Sequence, residues 1–142
     1  MFSLSHIHPL IVHFPIALVI IGFITEIASF IFKKEEWISK AGFYLLIIGT
    51  LSALAALLTG SLFTDEMKGI AGDVQETHEN FAWVSIGVLL FVSILRFYIL
   101  RLNKKNTVLN RLAFALYGLA AILVGITGFY GGTLVYNYMM PL

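Results

Sequence analysis

The chain has no cysteine among its 142 residues. Disulfides, thiolate chemistry, cysteine-held clusters and c-type haem attachment are therefore excluded within it. Charge is nearly as scarce: Asp, Glu, Lys and Arg make up 12% of the residues, and the formal net charge is +1. There is no glycine-rich phosphate loop and no nucleophile set beside a base. Hydrolase, transferase and nucleotide chemistry have no footing here, no nucleic-acid partner is expected, and the chain reads as a non-enzyme.

What is abundant is hydrocarbon, at 59% of residues. Four long apolar stretches cover 9–32, 41–63, 81–100 (with Arg96 inside) and 112–136. A bilayer core asks for about 20 apolar residues per helix, and each stretch meets or approaches that. The fold class expected is all-α: a four-helix transmembrane bundle, up-down, forming one integral membrane domain over 1–142. Its helices are predicted at about 9–32, 41–63, 74–102 and 111–136. No Lys or Arg precedes the first stretch, which also outruns the roughly 7–15-residue core of a signal peptide. It is read as a retained span.

The charges are lopsided. Lys33, Lys34 and Lys40 surround the first connection, and Arg96, Arg101, Lys104, Lys105 and Arg111 lie near the third. Lys68 alone occupies the second, among Asp65, Glu66, Asp73, Glu76 and Glu79. Basic residues stay on the cytoplasmic side, so both termini and the 64–79 loop are expected outside. That places the chain in a bacterial inner (cytoplasmic) membrane with periplasmic termini, the lipid bilayer being its first partner. Asp73 and Glu76 have the spacing of a capping pair, predicting a helix start near Val74. Pro15 should kink the first helix near its outer end.

The chain also repeats itself. HFPIALVIIG at 13–22 is echoed by HENFAWVSIG at 78–87, matching His13/His78, Ala17/Ala82, Val19/Val84, Ile21/Ile86 and Gly22/Gly87. More weakly, Leu51, Ala53, Thr59 and Gly60 answer to Leu119, Ala121, Thr127 and Gly128. Two parallel helix-hairpin repeats, each led by a histidine, predict a two-fold site.

Two histidines from opposite helices of a bundle can hold haem b, one on each side of the iron. With both axial positions filled by protein, such iron transfers electrons instead of activating a substrate. His13 and His78 are the expected axial ligands, with Gly60, Gly128 and Gly132 beside them. Small residues run along helix 2 (Gly42, Gly49, Ala53, Ala56, Gly60) and helix 4 (Gly118, Ala121, Gly125, Gly128, Gly132). They suit close helix packing first, and a flat wall for a planar cofactor second. Against haem, the outer end has few cations for propionates, with Lys68 and the histidines His6 and His8 the only ones. Two alternatives stand beside it. One is a cofactor-free structural or partner-binding membrane subunit. The other is a periplasmic-side metal site using His6, His8 and His13 with Asp73, Glu76 and Glu79 around His78. Glu26 and Arg96 lie within apolar stretches, and their pairing between helices would lower the cost of burying either.

The run His8-Pro9-Leu10-Ile11-Val12-His13-Phe14-Pro15-Ile16, with Glu26, Thr59-Gly60, His78 and Gly131-Gly132-Thr133-Leu134-Val135-Tyr136, resembles a bacterial membrane family catalogued as domain of unknown function 2231. The resemblance covers nearly the whole chain, and HPLIVHFP and GGTLVY are its most specific parts. It implies a four-helix membrane protein without an assigned activity. Some members resemble fusions with c-type cytochrome domains, which implies a redox setting, with a c-type cytochrome or respiratory complex as partner. The family commonly has glycine soon after the terminal tyrosine, where this chain has Tyr138-Met139-Met140.

Overall fold

Hydrocarbon cannot solvate a peptide group, so a spanning segment must satisfy its own backbone, and the helix does this within one segment. The computed structural model describes residues 7–102 and 107–138. They form five helices: α1 (Ile7–Ile11), α2 (His13–Ile31), α3 (Glu36–Phe63), α4 (Ile70–Leu102) and α5 (Thr107–Tyr138). Together α1 and α2 make the first of four segments long and apolar enough to cross a membrane, Ile7–Ile31, Glu36–Phe63, Ile70–Leu102 and Thr107–Tyr138. His6, Lys104, Lys105, Met139 and Met140, used in the sequence reading, lie outside the described residues.

The helix limits differ from the predicted ones where polar residues extend an apolar run. The second span starts at Glu36, not near residue 41, and α5 starts at Thr107. The third starts at Ile70, so Asp73 and Glu76 are not its cap. Gly69 makes the turn with φ +64, a conformation open to glycine, and Asp73 N–H already donates to its carbonyl. Buried Gln75 secures the loop before it, accepting from Met67 N–H at 2.8 Å and donating to the Asp65 carbonyl at 3.3 Å. In the first span, Pro15 cannot donate to the carbonyl one turn earlier, and the helix breaks at Val12.

The hairpins α2–α3 and α4–α5 are the tightest pairings; α2 also packs on α5, and α3 on α4. Hence α2 and α4 face one another across the diagonal. The interior holds Val19, Leu46, Leu89, Val92, Tyr117 and Val124, while Phe14, Ile24, Leu51, Trp83 and Phe129 point outward. Lipid tails are as apolar as leucine, so helices in a bilayer associate through close packing and polar contacts. Both occur here. At Gly42 a Cβ would stand 3.3 Å from the Gly22 carbonyl oxygen and 3.0 Å from Glu26 Oε2; at Gly22 it would run into the Tyr117 hydroxyl. Tyr117 donates to the Gly42 carbonyl at 3.3 Å, and Thr50 meets Ser93, Oγ1 to Oγ, at 2.9 Å.

The expected Glu26–Arg96 pair is present, with Arg96 Nη2 2.7 Å from both carboxylate oxygens. The side chains are 5% and 13% exposed. Deleting one partner of such a pair strands a buried charge, at about 3–5 kcal/mol. Among the described residues no buried side-chain nitrogen or oxygen lacks a partner.

The duplication is real in space, but its register is not the one that letter matching suggests. Val19 is fully buried and Val84 is 54% exposed; Ile21 is 53% exposed and Ile86 only 7%. Gly22 is buried, and Gly87 has nothing near it. The burial pattern aligns instead Pro15, Val19, Gly22 and Glu26 of α2 with Ser85, Leu89, Val92 and Arg96 of α4, each 70 residues on. Gly42, Gly49, Thr50 and Ala53 of α3 align likewise with Ala113, Ala120, Ala121 and Val124 of α5, each 71 on. Moving from an offset of 65 to one of 70 turns a helix by about 140°, which exchanges inner and outer faces.

A glycine substitution separates the two registers. Gly22→Ala should lower unfolding stability by about 1–3 kcal/mol through overpacking, and Gly87→Ala should change it by less than about 0.5 kcal/mol. Denaturation of the purified protein by graded SDS in bicelles measures both; equal losses would contradict the register.

Candidate functional site

A helix returns to the same face every 18 residues, which is five turns. His8 precedes Glu26 by that interval, and His78 precedes Arg96 by it. Since Glu26 and Arg96 meet on the bundle diagonal, the two histidines are brought to one end of the same interior. They lie about 27 Å from the ion pair at 1.5 Å per residue.

Each ring is fixed by the other helix of its own hairpin. His8 Nδ1 donates to the Ala56 carbonyl at 3.0 Å and lies 3.2 Å from Thr59 Oγ1. The Thr59 hydroxyl itself donates to the Ala56 carbonyl at 3.0 Å. His78 Nδ1 donates to the Thr127 carbonyl at 2.9 Å. The Thr127 hydroxyl donates to the Leu123 carbonyl and lies 3.1 Å from Ser85 Oγ, which donates to Phe81. Ala56 and Thr127 are 71 residues apart, the offset that relates α3 to α5. The ring seats match as well. A Cβ at Gly60 would stand 2.9 Å from His8 Cε1, and one at Gly131 would stand 3.1 Å from His78 Cε1. A side chain at Gly60 would force the His8 ring to shift, and one at Gly131 would crowd the His78 ring.

A carbonyl can only accept, so Nδ1 carries the proton on both rings and Nε2 keeps its lone pair. Metal-bound histidines take this form, with the second nitrogen donating to a carbonyl that fixes tautomer and orientation. Both rings are half-buried.

His13, the ligand expected from the sequence, is placed elsewhere. It is exposed, and its Nδ1 donates back to the Pro9 carbonyl at 2.6 Å, at the break between α1 and α2. Five residues separate it from His8, so it points away from that face. His8, held only as an alternative metal ligand, takes the place assigned to it. Of the glycines named with it, Gly60 lies under His8. Gly128 packs on Ile16, with a Cβ 2.8 Å from Ile16 Cδ1, and Gly132 has no neighbour within 4 Å. Gly131 was missed. The equal 18-residue spacing from each histidine to a charged residue inside the span is the signal that points to the pair the structure brings together. Among the described residues, no three His, Cys, Asp or Glu side chains gather to hold a metal ion.

A four-helix membrane bundle with a two-fold histidine site is thus the class that fold and geometry define. The chain belongs to the family described as predicted membrane protein (DUF2231), whose family model matches residues 5–141. No curated protein and no solved structure matches the chain.

The tautomers are directly measurable. ¹⁵N NMR of the histidine-labelled protein at about pH 8, above the ordinary imidazole pKa of about 6.5, should show Nδ1 protonated and Nε2 bare at His8 and His78. An Nε2-protonated ring at either position would contradict the hydrogen bonds described.

Proposed function

We propose that the chain is a small b-type cytochrome module of the bacterial inner membrane, holding haem between His8 and His78 and passing electrons near the periplasmic face. The observation that carries this reading is the matched pair of imidazoles, each with Nδ1 committed to a helix carbonyl and Nε2 left as a donor. The donor set fits the group, offering two neutral nitrogens from diagonal helices at one level. His8 and His78 would hold the haem, and the chemistry it would supply is one-electron transfer.

The protein's own part is orientation and exclusion. The Ala56 and Thr127 carbonyls fix the ring planes, and Thr59 reinforces the first of them. Gly60 and Gly131 let each ring approach its supporting helix closely. The packed interior below, with Val19, Leu46, Leu89 and Val124, keeps water from entering from the other end. A c-type cytochrome or respiratory complex would exchange electrons at the outer surface. The Lys/Arg distribution supports periplasmic termini and a periplasmic 64–79 loop.

One observation also favours a cofactor-free structural subunit. The histidine bonds tie α1 to α3 and α4 to α5, so they would stabilise the hairpins even with nothing bound between the rings.

Reduced-minus-oxidised spectra separate these readings. Protein purified from haem-replete cells should give sharp reduced bands, lost in His8→Ala and in His78→Ala and kept in His13→Ala. Colourless native protein would leave the structural reading. Topology has its own check: accessibility tags should be protected at residue 36 and labelled from the periplasm at residue 70.

A further inference from the structure

The two hairpins present the same histidine site but opposite fillings wherever they meet. Glu26 and Arg96 occupy equivalent positions of the repeat and bond to each other across the diagonal. If either hairpin paired with a copy of itself about the same axis, carboxylate would face carboxylate, or guanidinium would face guanidinium. The positions are nearly closed to solvent, where like charges are most costly.

The helix seams repeat this complementarity in volume. On the α3–α4 seam, Thr50 meets Ser93, a small polar pair joined by a hydrogen bond. The equivalent residues on the α2–α5 seam are Phe23, 70 before Ser93, and Ala121, 71 after Thr50. There the Phe23 ring lies against Gly118, whose Cβ would stand 2.8 Å from Phe23 Cζ, and shares an apolar groove with Ala121. Self-pairing of the first hairpin would set Phe23 against Thr50 on both seams. Self-pairing of the second would set Ser93 against Ala121 on both. One core would be overfilled and the other underfilled.

We infer that Glu26–Arg96, with Thr50–Ser93 and Phe23–Gly118, is a pairing code by which each hairpin accepts the other and rejects a second copy of itself. Specificity of this kind needs repulsion in the wrong complex as well as attraction in the right one. The histidines cannot supply it, because each half offers an imidazole. The code is what brings one His8 to one His78.

The absence of cysteine makes the test clean. In the full chain, Thr50→Cys with Ser93→Cys, held constant in every background, reports docking between hairpins, so the comparison reads the charge pair of the code alone. Ser85→Cys with Thr127→Cys reports the second hairpin alone, since their side-chain oxygens lie 3.1 Å apart between α4 and α5. Docking crosslinks should be abundant in the native background, fall about tenfold in Glu26→Arg or Arg96→Glu, and return in the double reversal, while hairpin crosslinks persist throughout. Equal docking in all backgrounds overturns the code, as does a double reversal no better than the singles. Loss of the hairpin crosslink with the docking one also overturns it, since charge would then hold the hairpin and not choose its partner. Choice itself is read by co-expression. The Glu26→Arg chain has two cations and the Arg96→Glu chain two carboxylates, so exchanged hairpins would restore both pairs. With Thr50→Cys on the first and Ser93→Cys on the second, a disulfide-linked dimer should form that neither chain forms alone. Short hinges permit such exchange. No dimer would overturn the choosing role.

Discussion

A carboxylate and a guanidinium inside hydrocarbon must find each other. The Glu26–Arg96 bond is the constraint on which the arrangement turns. It lies on the diagonal between α2 and α4, helices with little direct packing between them, and so sets how the two hairpins stand relative to one another. Tyr117 and Gly42 close around it, and the Gly22–Gly42 crossing brings the first hairpin's backbones near enough for the tyrosine hydroxyl to reach a carbonyl. The alternative arrangements each leave a charge without its counterion, so the pair acts through the states it forbids as much as through its own attraction.

Because each charge lies a whole number of helical turns from its histidine, alignment at one end of the bundle carries through to the other. The ion pair therefore does more than tolerate burial: it sets the rotation of α4, which carries His78 about 27 Å away by helix rise, and of α2, from which α1 and His8 follow across the break at Val12. The imidazoles are then trimmed locally by carbonyls and by two glycines. Long-range rotation and short-range seating come from different residues.

The architecture was legible because a bilayer imposes run lengths that composition alone reveals. The Glu26–Arg96 pair was legible for a related reason, since charges in such runs are few and need partners. The histidine pairing was half legible: the structure sets His78 with His8, whereas identical letters paired it with His13, because a helix duplicates by face. Val19 and Val84 agree in letter and disagree in burial; Val19 and Leu89 disagree in letter and share a fully buried interior. Of the glycines set beside the histidines, Gly60 lies against His8 and Gly128 packs on Ile16, while Gly131, next to the Gly132 named, lies against His78. Helix limits were hidden where polar side chains such as Gln75 complete a turn that no apolar run announces.

The break at Val12 gives the two imidazoles unequal anchorage. His78 belongs to a continuous 33-residue helix and can be moved only with it, whereas His8 rides on a five-residue segment beyond the interruption. The grip on that single turn is local, resting on the contacts of His8 with Ala56 and Thr59. The molecule resembles a vice with one jaw forged into the frame and the other bolted on beyond a joint.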